Sequence, residues 1–267
     1  MRLGFIGAGR MAAAIARGAV AAGLCAPDEV IGSARSEATR GRFAQETGGA
    51  AVTDDNRIAA TGRDATFLCV KPGQVRDVLR GLGALPSDAL LVSVAAGVKL
   101  GDLEREAGAG TAILIRAMPN TPCLVGKGAI AYALGALATD AHAALVERIF
   151  SAVGEVYAVP EALIDAVNGL SGSGPAYVYL VIEALADGGV LMGLPRPLAA
   201  ALAAQTVLGA AEMVRQTGRH PAELREAVAS PGGTTIAALD VLERSAVRAA
   251  MMSAVRAATE RAREMAG

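Results

Sequence analysis

A glycine-rich turn seven residues into the chain narrows the fold more than any other feature. Gly7-Ala8-Gly9-Arg10-Met11-Ala12 follows the apolar run Leu3-Gly4-Phe5-Ile6 and opens a helical stretch. The spacing fits the pattern G-x-G-x-x-G/A. Its first glycine allows a tight turn, its second lets the backbone approach a pyrophosphate, and its last small residue keeps helix and sheet close. The helix start adds amides and partial positive charge for phosphates. An ordinary glycine-rich turn is the alternative. The position of this one, between a strand and a helix at the head of a βαβ pattern, favours dinucleotide binding.

The following residues repeat that grammar. Strand-like runs fall at 3–6, 30–33, 65–70, 90–94, 112–116, 129–133 and 155–159, with helical stretches at 10–22, 37–48, 74–82 and 141–152. The buried runs are continuously apolar, as parallel strands covered on both faces should be. Their alternation with helices predicts a doubly wound sheet. From about 161 the strand signals stop. Tyr177, Leu180, Val181, Ala184, Leu185 and Gly188 mark one helical face. Pro195 and Pro197 start a helix reaching Val214, and Pro221 a short one. Pro231-Gly232-Gly233 breaks the chain before a helix over 234–244, and a last one spans 245–265. The expectation is an α/β Rossmann-type dinucleotide-binding domain over 1–160, followed by an all-α domain over 161–267. A helical domain that thin, with long Ala/Leu faces, needs a partner, and an obligate dimer is expected.

Composition removes other classes. Aromatics are 3% with no Trp, which speaks against base-stacking platforms. Net charge is −1 without a Lys/Arg run, so no nucleic-acid partner is expected. No apolar run approaches the roughly 18–20 residues of a spanning helix before a charge or Gly/Pro break, so no membrane is expected. The chain runs straight into a strand, leaving no room for a signal peptide. Cys25, Cys69 and Cys123 are scattered and read as small core residues of a cytoplasmic protein. His142 and His220 are far apart, and no metal site is legible.

The second strand ends in Ser33-Ala34-Arg35-Ser36, where an NAD-selective site carries Asp or Glu for the ribose 2′-hydroxyl. No acid occurs before Glu37. Arg35 and two hydroxyls suit a 2′-phosphate, so NADPH is expected over NADH, with a solvated Arg35 as the alternative. Cys69-Val70-Lys71-Pro72 and Ala95-Ala96-Gly97 end the third and fourth strands and should flank ribose and nicotinamide. Met118-Pro119-Asn120-Thr121-Pro122 occupies the same edge, or is a proline-ruled turn. In the helical part, Ser171-Gly172-Ser173-Gly174-Pro175 and Ser230-Pro231-Gly232-Gly233-Thr234-Thr235 each precede a helix. Free amides there can hold a carboxylate, or each segment is a plain inter-helix break. The chain has two histidines, and its lysines are Lys71, Lys99 and Lys127, none in the helical part. A ketone reductase wants a proton donor at the reacting oxygen. Imine reduction asks less, because a protonated C=N already carries the charge that hydride needs. NADPH-dependent imine reduction is the reading that survives.

At these residues the chain resembles the Δ1-pyrroline-5-carboxylate reductase family over essentially its whole length. The most specific piece runs from Pro221 through Leu224, Val228, Ala229-Ser230, Gly232-Gly233, Thr235, Ala238-Leu239 and Leu242-Glu243. Phe5–Gly9, Val70-Lys71-Pro72, Ala95–Val98, Asn120-Thr121-Pro122, Leu163–Val167, Gly169–Tyr177 and Ala184–Pro195 support it. The resemblance implies reduction of 1-pyrroline-5-carboxylate to L-proline with NAD(P)H as reductant. It implies Ile6, Gly7, Ala8, Gly9, Arg10 and Met11 at the pyrophosphate, Ser33, Arg35 and Ser36 at the adenosine ribose, and Asn56 at the adenine nucleotide. Cys69, Val70, Lys71, Pro72, Val94, Ala95 and Ala96 would line the cofactor cleft. Glu161 would lie near the substrate. Ser230, Gly232, Gly233 and the amides of Thr234 and Thr235 would take its carboxylate, and the Thr235 hydroxyl would meet the imine nitrogen as the catalytic contact. It also implies a homodimer through the helical domain, often within larger rings such as decamers. Ala227 stands where some relatives carry a cofactor-contacting asparagine, so that contact is not carried over. Ala34 replaces a serine that some relatives place near the 2′-phosphate, which leaves Ser33, Arg35 and Ser36. A reductase of another cyclic imine acid, or a non-catalytic dinucleotide sensor, are the rival readings.

Overall fold

The computed structural model of the protein describes residues 1–108 and 112–265. It begins with β1 (Leu3–Ile6), α1 (Arg10–Ala21), β2 (Val30–Ser33), α2 (Glu37–Glu46), β3 (Ala51–Thr53), α3 (Asn56–Ala60) and β4 (Ala65–Leu68). The alternation continues through α4 (Val75–Leu82), β5 (Leu90–Ser93), α5 (Leu100–Ala107), β6 (Ile113–Met118), β7 (Gly128–Leu134), α6 (Asp140–Phe150) and β8 (Gly154–Ala158). The strands form one sheet in the order β3-β2-β1-β4-β5-β6-β7-β8. Its first six strands have the order of a dinucleotide-binding fold, which reverses direction beside β1.

One strand departs from the expected parallel arrangement. β7 runs antiparallel to β6, with Ile115 opposite Leu134. Only residues 119–127 connect the two strands, and a parallel crossover needs a dozen or more. β8 is parallel to β7 again, since α6 bridges them. The sequence also left β3, α3 and α5 unmarked. β3 has three residues and α3 five, too short to show a period. α5 buries only Leu100 and Leu103.

Successive strand residues point to opposite faces, and the core divides accordingly. One face takes Leu3, Phe5, Phe67 and Val92 against α1, Phe43 of α2 and Phe150 of α6. The other takes Ile6, Leu68, Leu91 and Leu114 against Ala59, Leu79, Leu82 and Leu103 of α3, α4 and α5. The chain has four phenylalanines, and all lie on the first face. Phe5 stacks on Phe67 at 5.0 Å, and Phe150 meets Phe67 edge-on at 5.6 Å.

Beyond the sheet come α7 (Ile164–Val167), a π-type turn over 168–172, α8 (Gly174–Leu191), α9 (Arg196–Thr217), α10 (Pro221–Ala227), α11 (Thr234–Arg244) and α12 (Val247–Met265). As compact units the chain divides into Met1–Ser173, joined by the last turns of α12 from Ala257, and Gly174–Arg256. Residues 161–173 therefore pack with the sheet. Arg116, on β6 and only 2% exposed, donates to Glu161 Oε1 at 3.1 Å and to Asp165 Oδ1 at 2.9 Å. Asn120 Nδ2 donates to the Ser171 carbonyl at 3.0 Å, while its Oδ1 accepts from the Ala129 amide. The Met118–Pro122 segment thus holds the start of the helical region through Asn120. Residues 266 and 267 of the expected helical domain lie outside the described residues.

Among the described residues one helix, the 22-residue α9, is long and apolar enough to cross a membrane by length and composition, through an 18-residue window of mean hydropathy 1.4. Alanines separated by Gln205 and Gly209 give it that length without a continuous run of large apolar side chains.

Candidate active site

A cleft of about 960 Å³ opens beyond the carboxyl ends of β1, β2 and β4. Gly7, Ala8 and Gly9 line it from one side, Ser33, Arg35, Ser36 and Asn56 from a second, and Cys69, Val70 and Lys71 from a third. The size is in the range that holds a cofactor. Gly7 has φ +90, and a Cβ there would meet Val70 Cγ1 at 2.8 Å and the Cys69 carbonyl oxygen at 2.9 Å. Only glycine fits that turn. The amides of Gly7 and Ala8 both donate to the Ser33 carbonyl, at 2.9 Å, and Gly9 donates to Gly7. The turn residues are thus bonded internally and supply shape. The unpaired amides are those at the start of α1, Arg10 and Met11 among them, since the first helical bond runs from Ala13 to Gly9. No side chain caps that helix end. The cradle and its free donors fit a dinucleotide pyrophosphate.

Ser33 is wholly buried, and its hydroxyl donates to Asn56 Oδ1 at 2.8 Å. It therefore acts on the cleft through Asn56. The bond holds the amide so that its Nδ2 stays free to donate. Asn56 opens α3, whose N-cap Asp55 accepts from the Arg57 amide at 2.7 Å. Arg35 and Ser36 are exposed at the rim. The Arg35 guanidinium makes no hydrogen bond or ion pair among the described residues. Ser36 is the N-cap of α2 yet makes no side-chain cap bond, so its hydroxyl is also available.

Ile6 is fully buried in β1, and its carbonyl accepts from the Cys69 amide at 2.7 Å. The side chains of Arg10 and Met11, and Val94, Ala95 and Ala96, do not line this cleft, although the Val94 amide is bonded to Leu68 beside it. Pro72 lines a neighbouring groove of about 720 Å³ with Gly97, Val98 and Lys99. Cys25 and Cys123 are buried as expected of core residues, but Cys69 is half-buried at the cleft. Burial holds its thiol far above the usual range, so it stays protonated and apolar in character. Glu161 Oε1, expected near substrate, accepts from the Leu100 amide at 2.6 Å as well as from Arg116. That oxygen caps α5, whose N-cap Lys99 provides no side-chain cap.

In the helical unit, Ser230–Thr235 forms a turn closed by the Gly233 amide on the Ser230 carbonyl at 3.1 Å. Gly232 sits at φ +66, a conformation that favours glycine, and a Cβ on Gly233 would collide with Ser230 Oγ. The turn delivers the chain into α11, whose first helical bond runs from Ala237 to Gly233. The amides of Thr234 and Thr235 are therefore without helical partners. The Thr235 hydroxyl makes no hydrogen bond among the described residues. Two amides and a hydroxyl at a helix N-terminus suit a carboxylate with an adjacent polar atom. The two histidines serve elsewhere. His142 Nδ1 accepts from the Thr139 amide and His220 Nδ1 from the Ala222 amide, each at a helix start.

The sequence reading missed several cleft residues: Thr39, Asp54, Arg57, Gln74, Asp77 and Val78. Asp54-Asp55 directly before Asn56 is a helix-start signal that could have placed α3 and brought Arg57 to the cleft. Thr39 and Asp77 carry no comparable mark.

Two family models match the chain. Residues 161–265 match the family model for pyrroline-5-carboxylate reductase dimerisation, and residues 2–97 the model for NADP oxidoreductase, coenzyme F420-dependent. A pyrroline-5-carboxylate reductase from Glycine max is 49% identical, covering 98% of this chain and 95% of its own. The solved pyrroline-5-carboxylate reductase from Coxiella burnetii superposes with a TM-score of 0.91 at 37% identity, covering 100% of this chain and 98% of that one. The pyrroline carboxylate reductase of Plasmodium falciparum, crystallised with NADP bound, gives 0.89 at 33% identity, again over 100% and 98%.

Proposed function

The chain belongs to the pyrroline-5-carboxylate reductase family, and on that premise we propose that it reduces 1-pyrroline-5-carboxylate to L-proline, the last step of proline biosynthesis, with NADPH as the preferred reductant. The observation that most supports the reaction is the start of α11. Two unpartnered amides and a free hydroxyl there suit an amino-acid carboxylate and the ring nitrogen beside it. When bound, the reduced nicotinamide supplies the hydride for the C=N carbon. The residues of the chain contribute binding and orientation. Arg10 and Met11 amides receive the pyrophosphate at the start of α1. Asn56, aimed by Ser33, donates to the adenosine side. Thr234 and Thr235 hold the substrate carboxylate by their amides, with Ser230, Gly232 and Gly233 shaping the turn. The Thr235 hydroxyl meets the ring nitrogen and fixes which face of the imine is presented. Glu161 caps α5 within the sheet unit, and the product amine takes its proton from solvent.

The apolar faces of α8, α9 and α11 are read as a homodimer interface, and larger rings such as a decamer are built from such dimers. The protein works in the cytoplasm, with no nucleic acid or membrane among its partners. The deciding experiment follows NADPH oxidation on addition of 1-pyrroline-5-carboxylate, with proline identified as product. Turnover of a six-membered cyclic imine acid in its place would move the substrate assignment. NADPH binding without turnover of either would point to a sensor.

A further inference from the structure

We propose that Arg40 is a positioning residue that sets the preference for a 2′-phosphorylated dinucleotide. The proposal rests on the NADPH reading above and locates that preference in a residue outside the cleft. Ionised side chains lining the cleft are Arg35, Arg57 and Lys71 against Asp54, Asp55 and Asp77. Their formal charges cancel, so the lining alone offers a phosphate dianion little net attraction. The end of β2 provides no compensation, because the Ser33 hydroxyl is buried and bonded to Asn56. The groups left for a 2′-phosphate are Arg35 and the uncommitted Ser36 hydroxyl, both on the turn between β2 and α2.

Arg40 holds that turn from behind. It lies in the first turns of α2, is half-buried, and does not line the cleft. Its Nη1 donates to the Ala34 carbonyl at 2.7 Å and to the Arg35 carbonyl at 3.0 Å. The two bonds fix the backbone on which Arg35 and Ser36 are carried. They also cover two carbonyl dipoles that would otherwise repel a phosphate. In addition they set a permanent positive charge one residue layer behind the rim, where partial burial limits screening. An unphosphorylated ribose gains little from that charge, so the effect discriminates between the two cofactors. Arg40 acts through the turn and is not a ligand itself.

The test measures dissociation constants for NADPH and NADH, from the fluorescence of the reduced nicotinamide, on the full-length protein and its Arg40→Met and Arg40→Lys variants. The absence of Trp keeps the optical background low. Arg40→Met should raise the NADPH constant about tenfold or more, equivalent to about 1.4 kcal/mol, and change the NADH constant less than about twofold. Arg40→Lys, which keeps the charge and one bridging nitrogen, should return NADPH binding to within about threefold of the parent. Equal weakening of both cofactors would make Arg40 a merely structural brace and overturn the proposal. So would an unchanged NADPH constant, or a lysine variant as weak as the methionine one. A parent protein that binds NADH as tightly as NADPH would overturn the cofactor reading as well. A parent preference that survives intact in Arg40→Met would overturn the role of Arg40 alone.

Discussion

The sheet unit and the helical unit solve the problem of burial differently. The sheet unit closes on itself. α1 buries six of its 12 residues, and the four phenylalanines interlock on one face. The helical unit has a small core of its own, Ala186, Ala199 and Ala203, with Ile182 and Val190 packed against them. α8 has 18 residues and buries only Ala186, while Leu180 is 63% and Leu191 79% exposed. Apolar side chains of that size, repeated along several helices, are stable in water only when another surface covers them. One unit is finished by its own sequence, and the other is finished by association.

Two substitutions would test that contrast. Phe67→Ala removes the ring that joins Phe5 to Phe150 and should cost about 3–5 kcal/mol in chemical denaturation. The loss should persist unchanged at any protein concentration, because the ring contacts only its own chain. Leu180→Glu should do the reverse. It breaks no buried contact within the chain, but in a symmetric dimer it would remove two leucines and add two charges. About 1.5 kcal/mol per leucine gives about 3 kcal/mol against association before the charges are counted. Sedimentation or light scattering should then show dissociation at concentrations where the parent protein is dimeric. An oligomer unaffected by Leu180→Glu would place the interface on another face of the helices.

The same contrast governed what could be read from the sequence. The sheet unit was legible because β1, β2, β4 and β5 are buried, mostly apolar runs, and because Gly7 and Gly9 have only one common use in that position. Its short elements, β3 and α3, were hidden, and with them Asp54 and Arg57 of the cleft. The reversal of β7 was also hidden, since a period of two is the same in either direction. In the helical unit the helices could be placed from Pro195, Pro221 and the Pro231-Gly232-Gly233 break. Their apolar faces looked like core, and only the structure showed how little of them one chain covers. At the site, residue types indicated chemistry but not connection. Nothing in the sequence told that Ser33 is tied to Asn56, that Glu161 caps α5, or that Asn120 clamps the turn at Ser171. Those bonds span 23, 61 and 51 residues.

The division of labour can be sharpened by Thr235→Ala. Loss of one hydroxyl that meets a charged ring nitrogen should lower kcat/KM by about 1–3 kcal/mol in transition-state terms. The NADPH dissociation constant should stay that of the parent protein, since the free amides and turn at Gly7–Met11 belong to the other unit. A loss confined to cofactor affinity, with kcat/KM at saturating NADPH unchanged, would remove Thr235 from the chemistry. A loss in both would mean the two units are not functionally separable at this residue.

A smaller effect marks the sheet unit by its response to alkali. The Tyr132 hydroxyl donates to Glu147 Oε1 at 2.6 Å, linking β7 to α6. Burial, then the bond to that carboxylate and its charge, push the phenol up to about 12. In the unfolded chain it titrates near 10. The folded state keeps the proton over a range where the unfolded state releases it, so the contribution is complete below about pH 10 and is lost as pH rises toward about 12. Tyr132→Phe should cost about 1 kcal/mol at neutral pH, because one hydrogen bond disappears while exposed Glu147 can turn to water. It should also flatten the fall in unfolding free energy above pH 10. If the alkaline fall were as steep in the phenylalanine variant, the titrating group would have to lie elsewhere.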